Sequence, residues 1–100
     1  MSISIKINNH CTTASAIRFY ENYKEAFGNV ISAEMLGNVS EVNYAFKLVN
    51  DRGLEIEFNG EVTAGYGGEG PSGTFRILKM AGFNVDEEFV KRNASFKLTK

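Results

Sequence analysis

The chain has no tryptophan and only one cysteine, one proline and one histidine in 100 residues. A lone thiol, Cys11, forms no disulfide within the chain and builds no cysteine metal cage, a usage that favours a reducing compartment. A lone imidazole, His10, leaves general acid–base chemistry short of its usual residue. These two residues are adjacent, and neighbours along a chain point in different directions, so a working thiol–imidazole pair is not expected of them. His10 reads as a polar turn residue and Cys11 as a small, at least half-buried one. A metal would need two further carboxylates that nothing in the spacing brings to them. No apolar run approaches the roughly 20 residues of a membrane span, and the opening MSISIKINNH has neither the basic leader nor the apolar stretch of a signal peptide. A cytoplasmic location is therefore expected. A formal charge of −1 gives no general reason to expect nucleic acid or an anionic membrane as partner.

What is present suits one folded domain over residues 1–100. Hydrophobic residues make up 43% and charged residues 23%, and eight Phe with four Tyr supply buried area without tryptophan. Ile3, Ile5 and Ile7 alternate with Ser4 and Lys6, the period of a half-buried strand. A polar break, NNH, follows. Thr12 or Thr13 then caps a helix in which Ala16, Phe19, Tyr20, Tyr23 and Phe27 recur at helical spacing, with Gly28 at the C-terminal cap. Residues 30–36 form a further strand ended by Gly37-Asn38.

Val42, Tyr44, Phe46 and Leu48 alternate, NDRG supplies a turn, and Leu54, Ile56 and Phe58 alternate again, which predicts a hairpin. The segment EVTAGY reads as a bulged extension of the second hairpin strand beyond Asn59-Gly60. A second helix is expected over residues 71–81, with Phe75, Leu78, Ile77 and Met80 as its inward candidates. A short helical turn over 86–92 and a closing strand over 94–98 complete the chain. The fold class is α+β: a mainly antiparallel sheet of four to five strands with two helices packed on one face.

Residues 65–70, GYGGEG, match the Gly-x-Gly-x-x-Gly fingerprint of dinucleotide-binding loops letter for letter. That fingerprint works where a parallel strand delivers the glycines to a helix N-terminus and a second parallel strand offers a carboxylate to the ribose. Here a hairpin precedes the glycines, and Asp86, Glu87 and Glu88 open a helical segment. Glu69 puts a carboxylate where a pyrophosphate would lie. A phosphate loop would need Gly-Lys-Ser/Thr, and Pro71-Ser72-Gly73-Thr74 follows instead. Three readings stay open for the loop: turn geometry, with Pro71 or its successor opening the helix, a protein contact, and a small-anion site on backbone amides. No cofactor, metal or catalytic residue is assigned.

Charge is unevenly placed. Asp51, Glu55, Glu57, Glu61 and Glu69 stand against Arg52 alone between residues 51 and 69, while six basic residues face three acidic ones from 70 onward. Glu55 and Glu57 share one strand face and imitate a catalytic carboxylate pair, although exposed strand decoration explains them more simply. With Tyr66 as an aromatic anchor, the acidic middle is also the one patch suited to meeting a basic protein surface.

The stretch GEVTAGYGGEGPSGTFRILKMAGF, residues 60–83, sets a glycine-rich turn between a strand and a helix in a domain without catalytic groups. It resembles small bacterial immunity proteins of polymorphic and contact-dependent growth-inhibition toxin systems. The resemblance covers about a quarter of the chain and transfers a role only. It implies a non-catalytic protein that binds one cognate toxin and blocks it, a nuclease being one such toxin. Asp51, Glu55, Glu57, Glu61, Tyr66 and Glu69 are the candidate contact residues. The alternative is a self-associating structural or accessory domain of a larger assembly, joined through the 54–58 strand. A small-anion or nucleotide binder using loop 65–70 is the third reading.

Overall fold

The computed structural model describes residues 4–11, 13–38, 43–60 and 62–100. In chain order they form β1 (Ser4–Cys11), α1 (Thr13–Phe27), β2 (Val30–Asn38), β3 (Asn43–Asn50), β4 (Glu55–Gly60), α2 (Glu69–Met80), α3 (Glu87–Arg92) and β5 (Phe96–Thr99). The strands make one five-stranded sheet in the order β1–β4–β3–β2–β5. Three of its ladders are antiparallel, and β1 lies parallel to β4. The parallel pair follows from α1, which carries the chain back over the sheet so that β2 starts in the direction of β1. The fold is α+β, as the sequence predicts.

Several boundaries move for tertiary reasons. The expected break at NNH is strand, because β1 reaches Cys11 by pairing it with Gly60 after an irregularity beyond Ile7. Pairing supplies hydrogen bonds that local propensity does not. Gly37-Asn38 likewise does not end β2; these residues face Tyr44 and Asn43 on β3. Ser95 grips Gly37 from the other side, its Oγ accepting from Gly37 N at 3.0 Å and donating to Gly37 O at 3.2 Å. Residues 62–64 are not strand, so the expected extension of β4 stops at Gly60. The expected helical turn over 86–92 is α3, whose N-cap Asp86 accepts a hydrogen bond from Phe89 N at 2.9 Å. Thr12, Val42 and Glu61 lie outside the described residues.

All three helices cover one face of the sheet. Tyr44, Phe46 and Leu48 of β3 alternate inward beside Ile56 and Phe58 of β4 and Ala33 and Met35 of β2. Onto them α1 packs Ala16, Tyr20 and Phe27, α2 packs Ile77 and Leu78, and α3 packs Val90. Phe46 stacks on Phe58 at 6.0 Å, and Phe19 meets Phe58 edge-on at 6.2 Å. Full burial of a side chain such as Phe46 or Phe58 contributes roughly 1.5–3 kcal/mol of transfer free energy. Tyr20 takes the centre of the α1 face, while Phe19 and Tyr23 are only partly buried at its margin. Burial pushes the Tyr20 phenol above its ordinary pKa.

The other face carries charge in register. Reading across the sheet, Glu57 stands opposite Lys47, Lys47 opposite Glu34 and Glu34 opposite Lys97. Signs alternate across these four strands, an arrangement that cross-strand pairing favours. Lys47 Nζ lies 3.6 Å from Glu57 and 3.7 Å from Glu55.

Candidate functional site

The glycine-rich segment joins two helices and a sheet end. Gly65 adopts φ +89°, a conformation that side chains resist, and a Cβ there would also crowd Ala94. Its amide donates to Val90 O at 2.9 Å, which ties the loop to the last turns of α3. From this anchor the loop presents Tyr66, whose side chain is 46% exposed. Tyr66 is nevertheless held at both ends. Its hydroxyl lies 2.7 Å from Thr63 Oγ1, and its ring sits 6.5 Å from that of Tyr44. Thr63 is itself buried, and its carbonyl accepts from buried Thr74 Oγ1 at 2.8 Å. An aromatic ring is thus offered to solvent by a braced loop.

The helix after the glycines begins at Glu69, two residues before the expected start. Pro71 becomes its third residue, where the missing N–H has no intrahelical acceptor to lose. Gly68 precedes the helix without a side-chain cap, and Glu69 in the first turn complements the helix dipole. The route onward differs from a dinucleotide unit. From α2 the chain passes through α3 to β5, which pairs antiparallel with β2 at the far edge of the sheet. Asp86 caps α3 and does not stand at a strand end.

Comparison with protein-family models, curated proteins and solved structures finds no match.

The acidic candidates occupy different parts of the fold. Glu55 and Glu57 project from the helix-free face, half-buried and bridged by Lys47. Asp51 is exposed in the turn before β4, and its amide donates to Asn29 O at 3.0 Å. Glu69 and Tyr66 lie beyond the other end of β4, a strand that spans about 20 Å at 3.3 Å per residue. The described carboxylates therefore do not share one patch with Tyr66; only Glu69 is its near neighbour in the chain. Glu61 is outside the described residues. The 54–58 strand lies between β1 and β3, so it offers no free edge for self-association, and that route is corrected. His10 and Cys11 belong to β1. Among the described residues, no group of three His, Cys, Asp or Glu side chains is placed to hold a metal ion, and no helix is long and apolar enough to cross a membrane.

A feature the sequence reading missed lies on the helix layer. A groove of about 300 Å³ opens between α1 and α2, lined by Thr13, Ala14, Ile17, Arg18 and Glu21 from one helix and Glu69, Ser72, Gly73 and Arg76 from the other. Both sets recur at three- and four-residue intervals, so each helix contributes one stripe. The last turns of the two helices also adjoin, around Tyr20, Lys24, Met80 and Ala81, which means that the helices run side by side in one direction. At Gly73 the helices come close: a Cβ there would run into Thr13 Cγ2. The local signal was a glycine inside a helix, which marks a close neighbour without naming it.

Proposed function

We propose that the chain is a non-catalytic protein-binding module of the immunity kind, which engages a cognate toxin through the Gly65–Glu69 loop with Tyr66 as its anchor. The observation that carries this reading is the exposure of a tyrosine whose hydroxyl, ring and loop backbone are each already held. Such a side chain loses little conformational freedom on binding, and tyrosine is among the residues that dominate protein interfaces. The resemblance of residues 60–83 to immunity proteins supports the same segment. Charge steering by Glu55 and Glu57 is not part of the reading, since Lys47 already bridges both.

The test is neutralisation. A protein captured from the source cell by the tagged chain, and toxic when expressed alone, is expected to lose its toxicity on co-expression with the wild-type chain. Tyr66→Ala is expected to weaken that complex by about 2 kcal/mol or more, beyond the loss of roughly 1 kcal/mol of folding stability that goes with its hydrogen bond to Thr63. A captured toxin that binds the variant and wild type equally removes Tyr66 from the interface. A purified chain that forms a stable homo-oligomer and neutralises nothing favours the assembly reading, with an outer strand, β1 or β5, as the contact.

A further inference from the structure

We propose that the groove between α1 and α2 is a carboxylate-binding site, with Arg18 and Arg76 as the side chains that hold the anion. The two arginines come from different helices and line one cavity of about 300 Å³, the lower end of the size range for small-molecule sites. They stand at similar heights. Arg76 is three residues past Gly73 and Arg18 five past Thr13, so at 1.5 Å per residue they sit about 4.5 Å and 7.5 Å beyond the place where Gly73 meets Thr13. Among the described residues neither guanidinium makes an ion pair or hydrogen bond, although Arg52, Arg92 and Lys47 all do. Two like charges facing one cavity repel, and an anion between them reverses the sign of that interaction. A guanidinium presents parallel donors that match a carboxylate bidentately.

The glutamates of the groove define the ligand further. Glu69 precedes Gly73 by four residues and Glu21 follows Thr13 by eight, so the carboxylates flank the arginines on either side along the groove. They leave room for one negative charge at the centre and oppose a second, which selects a monoanionic carboxylate over a phosphate dianion. The assignment does not rest on the toxin-binding reading: the two share Glu69, but the anion is held by Arg18 and Arg76, and Tyr66 does not line the groove.

The experiment is an NMR titration of the full ¹⁵N-labelled chain with sodium acetate, against sodium chloride at the same ionic strength and against inorganic phosphate at pH 8. Acetate is expected to give saturable shifts at the amides of Ile17, Ser72 and Gly73 and at the Nε–H groups of Arg18 and Arg76. The R18Q/R76Q double variant is expected to abolish those shifts with an unchanged melting temperature, and each single variant to weaken them. Glu69→Gln is expected to tighten acetate binding by about twofold or more, since it removes a competing negative charge. Equal shifts with chloride, or acetate shifts that survive in the double variant, overturn the site. Tighter binding of phosphate than of acetate overturns its assignment to a monoanion. If the double variant does not fold, unchanged acetate affinity in both single variants overturns the site equally.

Discussion

The side-chain amide of Asn50, at the end of β3, donates a 2.7 Å hydrogen bond to the carbonyl of Phe27 in the last turn of α1. Asn50 is fully buried, and its Oδ1 accepts from Arg52 N at 2.9 Å and Leu54 N at 2.8 Å. One side chain thus closes the β3–β4 turn and satisfies a helix carbonyl that has no partner within the helix. Arg52 Nη2 adds contacts to Ala26 O and Phe27 O, each at 3.0 Å, and sets a positive charge at the negative end of α1.

Asn50→Ala is expected to destabilise the fold by about 2–3 kcal/mol, because it removes the buried donor to Phe27 O, leaving that carbonyl to Arg52 alone, and takes away the acceptor of two turn amides. Arg52→Ala, at an exposed position, is expected to cost under about 1 kcal/mol. Urea unfolding of both variants checks the order; a larger loss at Arg52 would contradict the buried amide as the principal link between hairpin and helix.

Gly73→Ala is expected to destabilise by about 1–3 kcal/mol through overpacking against Thr13. Thr13→Ser removes the obstructing methyl and keeps the hydroxyl, so it should restore stability in the Gly73→Ala background. A double-mutant cycle with no coupling would mean that the helices do not meet at this pair.

Lys47→Glu places a third carboxylate beside Glu55 and Glu57 and a like charge opposite Glu34. The expected loss is about 1–2 kcal/mol, more than that of Lys47→Ala and smaller in high salt. Thermal melts at low and high ionic strength separate the two terms. Equal stability of the two variants at low salt would show the charge row to be energetically silent.

Tyr20 gives a pH dependence with a definite sign. Its folded pKa lies above the ordinary value of 10.0 because burial disfavours the phenolate. Above that value the unfolded chain releases a proton that the folded chain retains, so this contribution is fully present below pH 10 and is lost as pH rises towards the folded pKa. Tyr20→Phe should therefore lose stability less steeply than wild type in the alkaline range. Parallel slopes for the two proteins would place the Tyr20 hydroxyl in contact with water.

Periodicity made most of the elements legible. The 3.6-residue recurrence of Ala16, Tyr20 and Phe27 marked α1, and the strict alternations from Tyr44 to Leu48 and from Leu54 to Phe58 marked the hairpin that forms the centre of the sheet. Boundaries were legible where a local device sets them, as at Gly28, whose amide closes α1 on Lys24 O at 2.9 Å. They were not legible at residues 8–11 or 37–38, where strand persists because a neighbouring strand supplies the hydrogen bonds.

The site follows the same division. Local chemistry singled out the glycine-rich turn and its exposed tyrosine, since glycine's backbone freedom and an aromatic in a polar loop are properties of single residues. Sequence proximity also gathered Asp51, Glu55, Glu57 and Glu69 into one acidic segment, and the tertiary structure divides them between a turn, the helix-free sheet face and a helix start. A strand separates its two ends by about 20 Å and sends alternate side chains to opposite faces, so nearness in the chain is not nearness in space. The Arg18–Arg76 groove is the converse case: residues 58 positions apart come together because parallel β1 and β4 launch α1 and α2 side by side. Hydrophobic spacing determined which faces of the chain turn inward, whereas strand order and helix packing, set by long-range pairing, decided which outward side chains meet.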